Sequence, residues 1–255
     1  MVLINTEELL AALKNEDPNR REKALYELGR LEDPVLQPYF IDALEDPVTR
    51  VRWRAIQAVR KLHPTGIEKK IIPLLQDETP LIRAEAAQIL GTHKSKDLLP
   101  HLSPLLDDVD HQVRYRVMEA LGDIGAIDES IMEKLISLLK DIDTGIRVNA
   151  ALALGKCRYG PALPHLIEAL KDINPNVRGI SAWSLGVLGD KAALEPLIRT
   201  LSDNGESVRV FAYQAITAFG EEAVAMLEKA KDQADQQDPD LKIYIDHLLD
   251  DIIEG

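Results

Sequence analysis

This sequence predicts an all-α chain folded as a solenoid of about eight stacked two-helix repeats, and three features lead there. The first is a fixed period. Arg21, Arg52, Arg83, Arg114, Arg147, Arg178 and Arg209 stand 31, 31, 31, 33, 31 and 31 residues apart, and Asn15, Asp46, Asp77, Asp108, Asp141, Asp172 and Asp203 each sit six residues ahead of one of them. A period of about 20 to 50 residues marks an architecture of stacked units. The second is the pattern around each arginine: an apolar residue just before it, then Ala and Leu at helical spacing, as in Ile82, Ala86, Ala87 and Leu90 or Ile146, Ala150, Ala151 and Leu154. The third is composition. Aromatic residues are only 4% of the chain while Ala and Leu abound, which suits closely packed helices better than a strand-based core.

Each unit reads as a Leu-rich first helix, then a turn, then the helix that carries the arginine. LLPHLSPLL at 98–106 and ALPHLIEAL at 162–170 are examples of first helices with one apolar face. Asp17, Thr79, Asp110, Asp143 and Asn174 stand where the second helix starts, with side chains suited to accept from free amides of its first turn. Pro18, Pro80 and Pro175 follow at the first helical position, where a missing N–H costs nothing. Eight residues after the arginine come Gly29, Arg60, Gly91, Gly122, Gly155, Gly186 and Thr217, so five of seven units carry glycine near a helix end. The two extra residues between Arg114 and Arg147 fit a longer loop around Gly125 to Ser130.

One helix pair cannot bury its apolar stripe alone, so the units must stack, and the end units should differ from the middle ones. They do. Arg20 replaces the usual Val or Ile in the first unit, and the register dissolves into KDQADQQDPD at 231–240. LKIYIDHLLDDII still has helical spacing, with Asp238 and Pro239 as its start signal, and reads as a degenerate eighth unit. The expected organisation is a single solenoid over 1–255: an N-terminal cap repeat at about 5–31, central repeats at about 32–220 and a C-terminal cap at about 221–255.

Charge and composition exclude several function classes. A formal charge of -13 repels polyanions, so nucleic acid is not an expected partner. The opening MVLINTEELL lacks a secretory pattern, no apolar run approaches the roughly 18 residues of a membrane span, and Cys157 is the single cysteine. A soluble, reducing, cytoplasmic setting without membrane insertion is the expectation. His63, His93, His101, His111, His165 and His247 form no H-E-x-x-H helix and no paired zinc spacing, so no metal is expected. There is no phosphate-binding Gly-rich loop and no G-x-S-x-G elbow, so no cofactor and no catalytic residue is expected either. Cys157 fills a slot occupied elsewhere by Leu62, Ile124, Leu188 and Phe219 and reads as a buried apolar stand-in. The acidic tail from Asp232 reads as a solubilising cap.

DETPLIRAEAAQILG at 77–91 and DINPNVRGISAWSLG at 172–186 resemble HEAT repeats, most closely the short HEAT-like subclass named after phycobilisome lyases. The resemblance runs over nearly the whole chain and implies a right-handed α–α superhelix whose second helices line a concave face. It also implies a ladder between adjacent units, in which Asp46, Asp77, Asp108, Asp141, Asp172 and Asp203 pair with arginines among Arg52, Arg83, Arg114, Arg147, Arg178 and Arg209. Such pairs contribute only about 0 to 1 kcal/mol when exposed, so their expected role is to fix register. A HEAT-like hydroxylase family binds iron through His-Glu dipeptides, whereas the histidines here are followed by Pro, Lys, Leu, Gln, Leu and Leu in turn. HEAT-like DNA glycosylases use a basic aromatic-lined groove, which the net charge opposes.

Positions one, two and five after each arginine should point away from the core, because the buried stripe uses positions minus one, three, four and seven. These outward positions offer Trp53, Arg54, Gln57, Tyr115, Arg116 and Glu119 in units two and four, and Val148, Leu152, Ile180, Trp183, Val210 and Phe211 in units five to seven. The second set is apolar and suits a partner's apolar residues; the alternative is that Trp183 and Phe211 tuck between helices as extra core. TRVRWRAIQAVRK at 49–61 adds Arg50, Arg54, Arg60 and Lys61 to the ladder arginine around Trp53, either to anchor an acidic segment or carboxylate-bearing pigment or to offset nearby acids. The expected function is a non-enzymatic adapter for another protein. The resemblance implies an alternative, a lyase-type or chaperone subunit acting on bilin-carrying phycobiliproteins. Those lyase subunits carry a Tyr- and Trp-rich stretch early in the chain, to which Trp53 is a sparser counterpart.

Overall fold

The computed structural model describes residues 5–62, 66–125, 128–234 and 239–254. His63, Asp238 and the loop residues Ala126 and Ile127, all invoked above, lie outside them. All regular structure among the described residues is helical, and the helices stack in pairs as an α–α solenoid. The chain divides into two compact units, residues 1–120 and 121–255.

In both units the second helices are continuous and 12 to 14 residues long, for example Thr49–Leu62 and Pro80–Thr92 in the first and Thr144–Lys156 and Pro175–Leu188 in the second. Most first helices are short and broken, whereas Glu129–Leu138 is one continuous α-helix of ten residues. LLPHLSPLL does not form one α-helix: Leu99–Leu102 is α, flanked by the tighter 3-10 turns Lys96–Leu98 and Ser103–Asp107. Pro100 and Pro104 lack the N–H that a continuous i→i−4 ladder requires, so the chain takes short turns instead. In the second unit Gly160–Ala162 is 3-10 and Leu163–Ala169 is α.

The core follows the arginine register. Ile82, Ala86, Ala87 and Leu90 are fully buried, as are Ala150, Ala151 and Leu154 beside Ile146. Each large side chain so buried contributes about 1.5–3 kcal/mol over leaving it exposed. Asp17, Asp110, Asp143 and Asn174 cap the second helices by accepting first-turn N–H groups. Thr79 holds the N-cap position without a side-chain cap bond, and its backbone N–H donates to Asp77 at 2.8 Å.

The repeated glycines have a different cause from helix termination. Gly91 and Gly186 lie inside their helices, and a Cβ on either would stand 2.7 Å from Cα and Cβ of Ala120 or Ala215 on the next second helix. They are absent side chains that let neighbouring backbones touch. Among the described residues, six of the second helices are followed by a residue at positive φ three positions after the glycine slot: Glu32, Lys94, Gly125, Arg158, Gly189 and Gly220, all at φ between 50° and 70°. Only half of these are glycine, which hides the terminator in the sequence.

The last pair, Glu221–Gln233 and Pro239–Glu254, packs through Ala223, Leu227, Ile245, Leu248 and Leu249. The first three residues of the polar stretch at 231–240 therefore continue a helix. Tyr213 donates its hydroxyl to Asp251 at 2.5 Å, and burial together with that carboxylate pushes the phenol up to about 12.

Gly91→Ala should destabilise the protein by about 1–3 kcal/mol, the usual range for an overpacked contact, read as a lower urea midpoint at unchanged slope. Lys94→Gly should raise that midpoint, by about 0.5–1 kcal/mol, by removing a left-handed β-carbon.

Candidate functional site

The seven arginines share one arrangement. Each points its Nη1 at the backbone carbonyl six residues earlier, from Arg21 to Asn15 at 2.8 Å through Arg114 to Asp108 at 2.7 Å and Arg209 to Asp203 at 2.6 Å. The other edge of the guanidinium reaches the next repeat. Nε and Nη2 donate to both carboxylate oxygens in Arg21–Asp46, Arg52–Asp77 and Arg83–Asp108 of the first unit, with Nε distances of 2.7, 2.7 and 2.8 Å. Arg147–Asp172 and Arg178–Asp203 repeat this in the second, both at 2.7 Å. In these five pairs the arginine reaches the aspartate 25 residues on, so the ladder begins at Arg21, which the sequence reading left out. Arg209 donates its Nε to the Tyr244 hydroxyl at 3.1 Å, so the helix Pro239–Glu254 supplies a phenol in place of an aspartate.

Each aspartate also accepts an N–H two residues on, as Asp77 does from Thr79, Asp141 from Asp143 and Asp203 from Gly205. Burial by itself would raise the Asp46, Asp77 and Asp108 carboxyls, but the arginine and backbone hydrogen bonds outweigh it and hold them below their ordinary value. For Asp172 and Asp203 the arginine hydrogen bond is the largest influence and acts in the same direction. The paired side chains are only 5% to 16% exposed.

The outward positions form a wall on the second helices of each unit, and the two walls differ. In the first unit, six of the twelve wall residues are charged: Glu22, Lys23, Arg54, Glu85, Arg116 and Glu119. Much of that charge is satisfied internally. Arg54 meets Glu22 at 3.3 Å and lies 5.1 Å above the Tyr26 ring, and Arg116 meets Glu119 at 2.8 Å. Trp53, Gln57 and Tyr115 are half-buried among them. The basic stretch at 49–61 is likewise matched, with Arg50 to Glu22 at 3.3 Å, Arg60 to Glu85 at 3.1 Å and Lys61 to Glu32 at 3.2 Å. Such pairs favour charge balance within the wall over an anchor for an acidic ligand.

In the second unit none of the nine wall residues is charged: Val148, Asn149 and Leu152, then Gly179, Ile180 and Trp183, then Val210, Phe211 and Gln214. Val148, Leu152, Ile180, Trp183 and Phe211 are half-buried and Val210 is 48% exposed. The Phe211 ring lies over the neighbouring helix at Gly179, 2.9 Å from where a Cβ would stand, so part of it packs between helices while the rest faces out. Asn149 is buried on this wall and donates its amide to the Gly145 carbonyl at 2.6 Å. It escaped the sequence reading, although its offset from Arg147 matches that of Ile180 from Arg178.

Cys157 is buried and donates its thiol toward the Leu121 carbonyl at 3.7 Å. His93 meets Glu68 at 2.8 Å, while His101, His111, His165 and His247 are exposed. Among the described residues no three His, Cys, Asp or Glu side chains gather as a metal site, and no helix is long and apolar enough to cross a membrane.

A stack of helix pairs joined by an Arg–Asp ladder defines an α–α repeat protein. The HEAT-repeat family profile matches residues 6–66, 67–131, 112–172 and 163–239, and the chain belongs to that family. A solved structure of the complex of CpcE and CpcF of phycocyanin lyase from Nostoc sp. PCC7120 contains a chain 24% identical, with TM-score 0.55, covering 98% of this chain and 95% of that one. The E. coli protein YibA is 20% identical with TM-score 0.64, covering 99% and 93%. Deoxyhypusine hydroxylase-B of Oryza sativa subsp. japonica is 29% identical over 126 residues, 47% of this chain and 40% of that protein. The chain thus spans well under half the length of that relative.

Carboxyls held below their unfolded values stabilise the fold above about pH 4 and lose that contribution as pH falls through their folded values. The urea midpoint should therefore drop between about pH 5 and pH 2, and more shallowly in Asp77→Asn than in the parent. Asp77→Ala should cost about 1–3 kcal/mol at pH 7 through lost charge-assisted bonds.

Proposed function

We propose that the protein is a non-enzymatic scaffold that binds another protein through the second-helix wall of residues 121–255. One observation carries this reading: all seven wall positions that reach solvent lack charge in a chain that is 29% charged, and their large apolar side chains stay partly exposed. A solvated wall has no physical need to exclude charge, whereas an apolar wall covered by a partner gains about 25 cal/mol for each Å² removed from water. Trp183 and Phe211 are the anchors, since aromatic side chains dominate the energetics of such contacts. Gln214, exposed on the same wall, adds an amide that can fix the partner's register.

A second reading, a bilin-lyase-like or chaperone subunit in phycobiliprotein assembly, draws on the near full-length similarity of fold to the phycocyanin lyase chain. Mixing the protein with a bilin and an apo-phycobiliprotein tests it, and an unchanged absorbance spectrum removes it. We extend no hydroxylase activity to this chain, because no histidine in it is followed by glutamate.

The scaffold reading is checked by affinity recovery from the native host with Trp183→Ala and Val210→Asp. Both variants should stay folded, judged by helical circular dichroism, and lose the co-purifying protein at least about tenfold. Recovery equal to the parent would count against the wall.

A further inference from the structure

Outside the walls, three side chains stand almost wholly in solvent at one repeated position. Val109, Ile142 and Ile173 each follow a ladder aspartate and are 94%, 99% and 93% exposed. Exposure this complete is unusual for β-branched apolar residues. They are also rigidly presented, because the ladder arginine that grips the turn donates Nη1 to their carbonyls: Arg114 to Val109 at 3.3 Å, Arg147 to Ile142 at 3.2 Å and Arg178 to Ile173 at 3.2 Å.

In residues 121–255 this edge borders a cleft of about 510 Å³ with Ile136, Leu139, Ala169 and Ile173 in its lining. Its charges are mostly engaged. Arg147 and Asp172 form a ladder pair, Lys171 meets Glu168 at 3.0 Å, and Asp141 accepts the Asp143 N–H at 2.8 Å. Lys140 makes no ion pair among the described residues and lies exposed on the lining.

We infer that this ladder edge is a second docking surface, distinct from the wall, for an extended segment of a partner protein that places an aliphatic or aromatic side chain in the cleft and a carboxylate near Lys140. The cleft takes the side chain, Ile173 flanks it as a stiff apolar post, and the unpaired ammonium selects an acidic neighbour. A rigid edge loses little entropy on binding, which favours an otherwise shallow site.

The test is selection of a phage-displayed random octapeptide library on the full chain, followed by fluorescence-anisotropy titration of the enriched peptides. Peptides with an aliphatic or aromatic residue within two positions of Asp or Glu should be enriched. They should bind Ile173→Asp and Lys140→Glu at least about tenfold more weakly and Val210→Asp with parental affinity. Ile173 and Lys140 are exposed, so both variants should keep the parental thermal midpoint. No enrichment, lysine-rich peptides, or peptides lost only with Val210→Asp would overturn the inference. Self-association abolished by Ile142→Asp in sedimentation velocity would overturn it too, because the occupant would then be a second copy.

Discussion

Within each compact unit, everything rests on how a guanidinium divides its donors. One nitrogen holds the turn that precedes its own helix, and the opposite edge grips the carboxylate of the following repeat with two parallel bonds. The fork is planar and its donors are fixed in direction, so a lysine at the same position could supply the charge without the geometry. The aspartate is constrained in return, since it also receives the backbone N–H two residues on. Each rung therefore locks a turn, a helix start and the offset to the next repeat. The bulk of the stability comes from the Ile, Leu and Ala stripe, and the ladder decides which stripe meets which.

Close approach follows from that register. Where Gly91 faces Ala120 and Gly186 faces Ala215, helices touch backbone to backbone, and neither contact would survive a slip of one residue. At the C-terminal end the same logic persists with different chemistry. Tyr244 offers its hydroxyl to Arg209, and the pair 221–233 and 239–254 packs through Leu227, Ile245 and Leu248.

A scaffold so determined leaves its outward positions free to vary, and function in such folds resides in what is placed there. In residues 1–120 the wall is charged and largely neutralises itself through Glu22, Arg54 and Tyr26. In residues 121–255 charge is missing from the wall, while apolar posts are held out along the ladder edge. Two surfaces of different character thus arise from one repeated frame, one a broad apolar face and the other a narrow cleft with a cation beside it.

From its residues alone the chain declared its helical class, its period, its buried stripe and most of its helix starts, because a 31-residue spacing and a 3.6-residue periodicity are local and repeat seven times. An offset from a known arginine defines the helix face of the set Trp53 to Phe211, although Ala84, Asn149 and Gly179 at the same offsets are buried. Other features needed the packed molecule. That the glycines serve contact rather than termination depends on Ala120 and Ala215, which belong to other repeats. The left-handed cap at Lys94 and Arg158 is invisible because residues poorly suited to it occupy it. The direction of the ladder, its start at Arg21 and its end on Tyr244, the neutralising of the basic stretch, and the exposure of Ile142 and Ile173 are all relations between segments distant along the chain. Sequence periodicity encodes which face a residue occupies, and only the stacking of repeats decides what that face meets.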